Sequence, residues 1–224
     1  MRTFSFDRLK RTIDLSAACV GLIAVSPVLV TAAAAIRLSL GSPVLYKQER
    51  PGLGGVPFTL WKFRTMRPSK AGEDDIGNDG PRLTALGQFL RSASIDELPT
   101  LFNVVRGEMS LVGPRPLLMR YLSRYTEEQA RRHEVKPGIT GWAQVNGRNN
   151  LSWEQKFALD VWYVDHRSLA LDIKILAMTV LKVLGRADIS QDGHVTAPEF
   201  MGLDLPGYSP DPAPRRAKRT VSAA

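Results

Sequence analysis

Two acidic residues, Asp96 and Glu97, lie side by side in the stretch "SIDELPTLFN" of a chain whose formal net charge is +8. A carboxylate in such a basic setting can act as a nucleophile or hold a magnesium ion. Two interpretations of the local pattern are open. Ser94 and Glu97 fit a capping box, which would make Glu97 a helix cap and no more. Alternatively, the helix begins at Pro99, since proline suits the first helical position, and the helix dipole stabilises both acids as anions.

Basic residues near the acidic pair favour a phosphate-binding site over a simple cap. Arg91 precedes Asp96 by five positions. Arg115 lies between two prolines in "GPRP", which restrict the backbone and aim the guanidinium for bidentate recognition of a phosphate; without a phosphate the segment is a rigid turn. In "KFRTM", Lys62 and Arg64 share one face of a predicted strand, where they bind phosphate or form a solvated basic face at the lipid headgroups.

The other chemical patterns are weaker. The stretch "KPGITGWAQVNGRNN", residues 136–150, is a polar loop whose Trp142 and Gln144 could hold a nucleoside, although a structural loop explains its composition as well. Residues 68–81 form a glycine-rich polar loop whose aspartates lack the spacing of a calcium site. The three histidines are scattered, and neither a histidine zinc motif nor a Ser-His-Asp order occurs.

Length and composition bound the setting in which these residues act. The chain has 224 residues, enough for one compact domain with an additional element. Its single cysteine excludes an intrachain disulfide framework and fits a reducing, cytoplasmic setting. A pI near 9.9 indicates an anionic partner, which is nucleic acid, an acidic membrane surface or a phosphorylated substrate. Charge alone does not choose among these three.

An apolar segment near the N-terminus narrows the choice. From Ile13 to Ile36 the chain carries one charge, Asp14, and would span about 36 Å as a straight helix. Pro27 removes a backbone donor in the middle, and we expect the Ser26 hydroxyl to bond the freed carbonyl. Basic residues flank both ends, which the positive-inside rule places in the cytoplasm. We therefore expect a re-entrant hairpin broken at Ser26 and Pro27, the alternatives being a proline-kinked spanning helix and a cleaved signal peptide.

The remaining chain predicts a small mixed fold. Two β-rich runs within residues 43–66, separated by "PGLGG", predict a β-hairpin. Residues 82–94 have helical spacing of apolar residues, with Thr84 as N-cap and an end near Ala93. A long stretch from Trp153 onwards predicts helices packed in the core or on a membrane surface. The expected fold class is α+β and mostly helical, with a re-entrant membrane helix-break-helix, a small hairpin and amphipathic surface helices.

Taken together, these motifs resemble one known family. The segments "KRTIDL", Ser26-Pro27, "YKQERPGLGG", "KFRTM", "IDELPTLFNVVRGEMSLVGPRP" and "KPGITGWAQVNGRN" follow one another, from about residue 6 to residue 186, as in the bacterial sugar transferases, the monotopic phosphoglycosyl transferases. The chain is similar to the short-form, exopolysaccharide-initiating members, because it shows one N-terminal apolar segment where long forms carry several. The resemblance implies a membrane hairpin (1–40) and a catalytic domain (41–186). Residues 187–224 lie beyond it, and their proline-rich and then basic composition predicts a partly disordered C-terminal tail.

The resemblance implies an enzyme of the inner, cytoplasmic membrane, with its catalytic domain on the cytoplasmic face. Such enzymes initiate exopolysaccharide or other surface-glycan synthesis by moving a phosphosugar from a UDP-sugar, here with glucose or galactose as the expected hexose, to undecaprenyl phosphate, which gives undecaprenyl-diphosphate-sugar and UMP. The expected cofactor is Mg²⁺. Expected partners are the two substrates, inner-membrane lipids and downstream glycosyltransferases, and no nucleic acid. The alternative is a non-catalytic basic membrane adaptor, which would share the charge and the hairpin but would not need Asp96.

The resemblance also implies roles for individual residues. Asp96 matches the nucleophile that attacks the β-phosphorus and carries the phosphosugar, and Glu97 matches the second acid, which assists Asp96 and holds Mg²⁺. Covalent catalysis divides one displacement between anions into two steps. The residues expected to bind substrate and phosphate are Arg115, Arg91, Lys62, Arg64 and Gln144. Asp160 is a further expected metal ligand.

Overall fold

A computed structural model describes residues 2–68, 82–147, 151–185 and 199–202. The predicted loop after residue 68, part of the polar loop at 148–150 and most of the predicted tail lie outside the described residues. The described helices are α1 (Arg2–Ser39), α2 (Ala85–Ser92), α3 (Thr100–Arg106), α4 (Glu127–Ala130), α5 (Trp142–Val145), α6 (Trp153–His166) and α7 (Leu169–Leu184). The described strands form two two-stranded sheets: β1 (Leu45–Pro51) with β2 (Pro57–Phe63), and β3 (Ser110–Val112) with β4 (Gly138–Thr140). The expected mostly helical fold with a small hairpin is confirmed.

The long N-terminal helix α1 continues through Pro27. Pro27 has no N–H to donate to the carbonyl of Ile23, and the Ser26 hydroxyl donates to that oxygen at 2.8 Å, which confirms the hydrogen bond expected from the sequence. This substitute bond satisfies the freed carbonyl within the helix, and the predicted break is not shown. The helix from Phe6 to Ser39 is long and apolar enough to cross a membrane, with a mean hydropathy of 2.3 in an 18-residue window, which is a weak sign of membrane association.

Both halves of α1 pack against the rest of the chain. In the first half, Ala18 is buried in a cluster with Val104 of α3. In the second half, Ile36 is buried in a cluster with Phe63 of β2 and Leu90 of α2. The opposite face of the helix leaves large apolar side chains exposed: Ile13, Val20, Ile23, Val30 and Leu38. α1 therefore lies along the domain and presents an apolar face away from it.

Buried polar contacts fasten the N-terminal half of α1 to the sheet and to α7. Asp14, the one charge of the apolar segment, is buried and accepts a hydrogen bond from the Ser110 hydroxyl of β3 at 2.7 Å. Lys10 forms an ion pair with Asp172 of α7 at 2.6 Å, and the Tyr163 hydroxyl donates to the same carboxylate at 2.7 Å. Buried charges need such partners, because an unpaired charge away from water is costly.

Local sequence signals predicted the hairpin and α2 correctly. β1 and β2 pair antiparallel along their whole length around the glycine-rich loop. The Thr84 side chain caps α2 by accepting a hydrogen bond from the backbone N–H of Gly87 at 3.0 Å. The helix ends at Ser92, one residue before the predicted end near Ala93.

The predicted stretch after Trp153 forms two helices, α6 and α7, that serve both the core and the surface. Ile175 of α7 is fully buried, whereas Ile173, Val180 and Leu181 of the same helix are exposed. A helix that packs one face on the core and exposes apolar side chains on another is typical of a membrane-surface helix. Core packing is therefore confirmed for one face of α7, and contact of its exposed face with a membrane surface stays a prediction.

The parallel pair of β3 and β4 joins two motifs that are distant in sequence. The N–H of Gly113 donates to the carbonyl of Thr140 at 2.9 Å, and the N–H of Gly138 donates to the carbonyl of Pro114 at 3.0 Å. The two backbones approach so closely that a Cβ at Gly138 would lie 2.1 Å from the nitrogen of Gly113. Glycine is required here because no side chain fits between the segments. The contact holds the "GPRP" segment, and with it Arg115, against Gly138, the first residue of β4.

We expect Gly138→Ala to displace the "GPRP" segment, because its Cβ meets backbone atoms that cannot rotate away. The expected cost is about 1–3 kcal/mol in the free energy of unfolding, and turnover is expected to fall by about 10²-fold if Arg115 moves by ~1 Å. Denaturant unfolding and a turnover assay measure the two effects. Gly21→Ala is the matched control, because a Cβ there makes an ordinary contact at 3.7 Å. Normal turnover in Gly138→Ala would contradict the positioning role of this contact.

Residues 199–202 pack into the domain although they belong to the predicted tail. Phe200 is fully buried. Its ring lies against four others, those of Tyr121, Tyr125, Trp153 and Phe157, with centroids 4.9 to 5.8 Å away. Glu199 beside it forms an ion pair with Arg124 at 2.8 Å. These four residues are thus ordered within a stretch predicted to be partly disordered.

Phe200→Ala is expected to lower the free energy of unfolding by about 3–5 kcal/mol, since it empties a fully buried aromatic position. Thermal or urea unfolding of the detergent-solubilised protein measures the loss. Met201→Ala, at a side chain that is 45% exposed, is the control and should change stability little. Equal stability of the two variants would mean that residues 199–202 do not pack as described.

Candidate active site

The acidic pair lies in a 3-10 turn, Ile95–Glu97, between α2 and α3. Ser94 precedes the turn in the left-handed backbone region, with φ of 54°, and its side chain makes no capping hydrogen bond. The capping-box interpretation is therefore wrong. α3 begins at Thr100 with Pro99 as its N-cap, so the alternative start at Pro99 is correct to within one residue. A non-glycine residue in this backbone region costs about 1–2 kcal/mol, and the packing of the surrounding residues must offset this cost.

Glu97 is bound by two cations that come from different elements. The Lys62 ammonium of β2 lies 2.7 Å from Oε1 of Glu97. The Arg115 guanidinium donates to both carboxylate oxygens, with Nη1 3.3 Å from Oε2. Burial alone would raise the pKa of Glu97, but the charges and hydrogen bonds of Arg115 and Lys62 hold the pKa well below its usual value. Glu97 is therefore an anion with a fixed orientation.

Asp96 has a different environment from its neighbour. It forms no hydrogen bond or ion pair within the described part of the chain. Burial raises the pKa of Asp96 and the charge of Glu97 raises it further, while Lys62, Arg91 and Arg115 act in the opposite direction. The pKa values of the two neighbouring acids are therefore shifted in opposite directions, and stabilisation of both as anions by the dipole of α3 stays a prediction. The carboxylate of Asp96 is left free to attack a substrate.

The three predicted cations Lys62, Arg91 and Arg115 converge on the acidic pair. Lys62 and Arg115 contact Glu97, and Arg91 of α2 donates its Nε to the Thr65 hydroxyl at 3.0 Å, from where its charge acts on Asp96. A pocket opens beside Glu97, and its charged lining residues are Arg50, Lys62, Glu97 and Arg115. Three cations and one anion give this pocket a positive charge that favours an anionic ligand.

The pocket lining does not include four of the expected site residues: Asp96 and Arg91, which lie beside it in the acidic turn and in α2, and Arg64 and Gln144. The guanidinium of Arg64 donates to the carbonyl oxygens of residues 40–42, so it holds the turn that follows α1 and makes no contact with Glu97. Gln144 of α5 lies one layer behind the pocket, where its Nε2 donates to the carbonyl of Ile139 at 3.4 Å. Phosphate binding by Arg64 and nucleoside binding by Gln144 have no support from these contacts.

Asp160 lies in a buried ion pair instead of a metal site. Its Oδ2 accepts hydrogen bonds from Arg132 at 2.7 and 3.1 Å. Nη2 of the same guanidinium also donates to the carbonyl oxygen of Arg115 at 2.7 Å. Within the described residues no group of three or more potential metal ligands occurs. These contacts give Asp160 a structural role, in which Asp160 orients Arg132 and Arg132 supports the backbone of Arg115, and they lend no support to the expected metal role.

Sequence reasoning missed the site roles of Arg50 and Arg132. Arg50 belongs to the quoted motif "YKQERPGLGG" and is one of the basic residues that follow the apolar segment, and its side chain lines the pocket. The available signal for Arg50 was its place directly before a glycine-rich turn, a motif that could have indicated a residue of the site. Arg132 carried no local signal, since its partner Asp160 is 28 residues away.

Comparison with known proteins agrees with the motifs. The profile of the family described as bacterial sugar transferase matches residues 5–186. The chain is 59% identical to the uncharacterized sugar transferase EpsL of Bacillus subtilis (strain 168), over 87% of this chain and 96% of that protein. It is 43% identical to the UDP-glucose:undecaprenyl-phosphate glucose-1-phosphate transferase of Caulobacter vibrioides, over 80% of this chain and 70% of that protein. The identity is 42% to the Escherichia coli (strain K12) protein of the same name, over 78% of this chain.

Coverage of these relatives is uneven. The chain spans nearly all of EpsL but only 40% of the Escherichia coli protein. The matched part includes both acids, the three cations around them and the segments that β3 and β4 bring together. The chain belongs to the bacterial sugar transferase family and is, by that membership, a transferase enzyme.

Proposed function

We propose that the chain transfers a phosphosugar from a UDP-sugar to undecaprenyl phosphate, releasing UMP and forming undecaprenyl-diphosphate-sugar. The observation that carries the proposal is the asymmetry of the acidic pair: Glu97 is held by Lys62 and Arg115, while the half-buried carboxylate of Asp96 has no hydrogen bond or ion pair within the described residues. Relatives named for the transfer of glucose 1-phosphate to undecaprenyl phosphate support the reaction class. UDP-glucose is accordingly the first donor to test, followed by UDP-galactose.

The reaction proceeds in two displacements. In the first, an oxygen of Asp96 forms a bond to the β-phosphorus of the donor while the bond to the bridging oxygen breaks, and UMP takes the electron pair. In the second, a phosphate oxygen of the polyprenyl acceptor attacks the same phosphorus and the Asp96 carboxylate leaves. Each step brings two anions together, so the cations Lys62, Arg91 and Arg115 lower its barrier electrostatically.

Mg²⁺ is the proposed cofactor, and Glu97 is the residue that would hold it. A carboxylate offers about four lone-pair positions, and the contacts with Lys62 and Arg115 leave capacity on Oε2. One protein carboxylate is enough, because Mg²⁺ in phosphate-transfer sites keeps water and phosphate oxygens as its other ligands. When bound there, the ion would neutralise charge on the diphosphate.

The membrane arrangement we propose is re-entrant on the cytoplasmic face. Its support is that Ala18 in the first half of α1 and Ile36 in the second half both pack on the same domain. A helix crossing a bilayer about 30 Å thick would place its two ends on opposite sides, where one domain could not contact both. The exposed apolar side chains of α1 and α7 would then face lipid.

The test of the reaction is UMP release by purified, detergent-solubilised protein with Mg²⁺, undecaprenyl phosphate and a panel of UDP-sugars. We expect UMP from one or two hexose donors, and loss of release when EDTA removes the metal. A folded protein that releases no UMP from any donor would contradict the proposal and favour a non-catalytic basic membrane adaptor. That adaptor would still bind anionic vesicles, which a flotation assay measures.

A further inference from the structure

Arg50, near the end of β1, is a cation in the pocket that forms no ion pair with a described residue, although the charge of Glu97 acts on it. Its Nη2 donates to the side-chain oxygen of Gln48 at 2.6 Å, and its buried Nε has no hydrogen-bond partner in the described part of the chain. Burial and the charge of Arg115 lower the pKa of Arg50 to about 10, so it is still charged at pH 7. A buried donor without an acceptor is unfavourable, and Glu97 is already held by Lys62 and Arg115, so the anion of a ligand would satisfy Arg50.

Arg115 lies close enough to share such a ligand. Nη1 of Arg50 is 3.4 Å from the carbonyl oxygen of Pro116, the residue after Arg115, and the two arginines line the same pocket. A guanidinium has five N–H donors, and Arg115 directs only two nitrogens at Glu97, so donors remain. Two neighbouring guanidinium groups with free donors suit the oxygens of one phosphate.

The two displacements of the proposed reaction, on which this inference rests, constrain where the phosphates lie. In a phosphoryl displacement the attacking and leaving oxygens are roughly in line with the phosphorus. In the first step Asp96 attacks and UMP leaves on the opposite side. In the second step Asp96 is the leaving group, so the acceptor must attack from the side that UMP occupied. The phosphate of UMP and the phosphate of the acceptor therefore use the same position in turn.

We propose that Arg50, together with Arg115, forms this shared subsite, which binds the phosphate of departing UMP and then the phosphate of the polyprenyl acceptor. The ligand class is a phosphate monoester, whether carried by a nucleoside or by a lipid. Arg50 binds and positions the phosphate and forms no bond to the phosphorus that is transferred.

The kinetic test is Arg50→Gln, which removes the charge and the forked donors while keeping much of the length. We expect the KM values for the UDP-sugar and for undecaprenyl phosphate to rise together by about 10- to 100-fold, as for loss of a hydrogen bond to a charged group, with kcat changed less. A rise for one substrate alone, a fall in kcat alone, or no change would each overturn the shared subsite. Lys47→Gln is the control, because Lys47 lies on the same strand over the ring of Trp61, outside the pocket lining, and should match the native chain.

A binding measurement separates this proposal from the proposed function. UMP is titrated against the thermal midpoint of native protein, Arg50→Gln and Lys47→Gln, with no donor or acceptor present. We expect UMP to stabilise the native chain and the control, with a UMP concentration about tenfold higher needed for Arg50→Gln. Equal stabilisation of all three would overturn the role of Arg50 even if turnover is observed. If Arg50→Gln does not fold, Arg50→Lys keeps the charge and should show a smaller shift in the same direction.

Discussion

Asp96→Asn is expected to lower turnover by roughly 10⁴- to 10⁶-fold, as removal of a catalytic nucleophile does in other covalent enzymes. An amide does not displace UMP from phosphorus, and no neighbouring group can replace it, because Glu97 is held by Lys62 and Arg115. The fold should survive, since the Asp96 side chain has no hydrogen bond or ion pair to lose within the described residues. UMP release and the thermal midpoint, measured on the same preparation, test both statements.

The covalent intermediate gives a second readout of the same change. With UDP-sugar and no acceptor, the native chain should release at most one UMP per protein and gain the mass of one phosphosugar, whereas Asp96→Asn should do neither. Asp165→Asn is the matched control, because it makes the same substitution at an exposed acid that pairs with Arg131. Persistence of the mass shift in Asp96→Asn would place the nucleophile on another residue.

Glu97→Gln is expected to reduce turnover by about 10²- to 10³-fold, through loss of the group that orients Arg115 and Lys62. Removing one partner of a buried ion pair costs about 3–5 kcal/mol, and because Arg115 is partly exposed we expect a smaller loss of stability, about 1–3 kcal/mol. Glu128→Gln, at an exposed ion pair with Arg131, is the control and should retain both stability and turnover. Normal turnover in Glu97→Gln would mean that the second acid only supports the fold.

The pH dependence of Glu97→Gln tests the coupling between the two acids. Asp96 must be deprotonated to attack, so turnover is present above the pKa of Asp96 and is lost as the pH falls through it. Burial and the charge of Glu97 raise that pKa above its usual 3.8. Removing the charge of Glu97 and freeing the two cations should lower the pKa, so the acid limb of the residual activity moves to lower pH. A limb that stays in place or moves to higher pH would contradict this coupling.

Short-range features of the fold could be predicted from the sequence because their partners are a few residues apart. The Thr84 cap of α2 and the bond from Ser26 to the carbonyl of Ile23 each join residues three positions apart. The pairing of β1 with β2 follows from two β-rich runs around a glycine turn. Contacts over such distances depend on backbone sterics and local hydrogen bonding, which the residue types determine.

The composition of the site was also largely readable, since Asp96, Glu97, Lys62, Arg91 and Arg115 were all expected and the structure brings them together. The sequence did not predict which of the two acids is held by cations and which is not. This difference depends on Lys62, which is 35 residues from Glu97, and on Arg115, which is 18 residues away. Two adjacent carboxylates look alike in a sequence, and only the placement of cations from other elements makes one fixed and the other free.

The sequence by itself determined the family, the acidic pair, the cations near it and the apolar helix with its proline. The tertiary structure alone decided that Arg64 holds the turn after α1, that Asp160 pairs with Arg132, that Phe200 fills an aromatic cluster, and that Arg50 reaches the pocket. The physical reason is that charge pairing and burial depend on distance in space, which is set only when α1, the two small sheets and the C-terminal segment pack together.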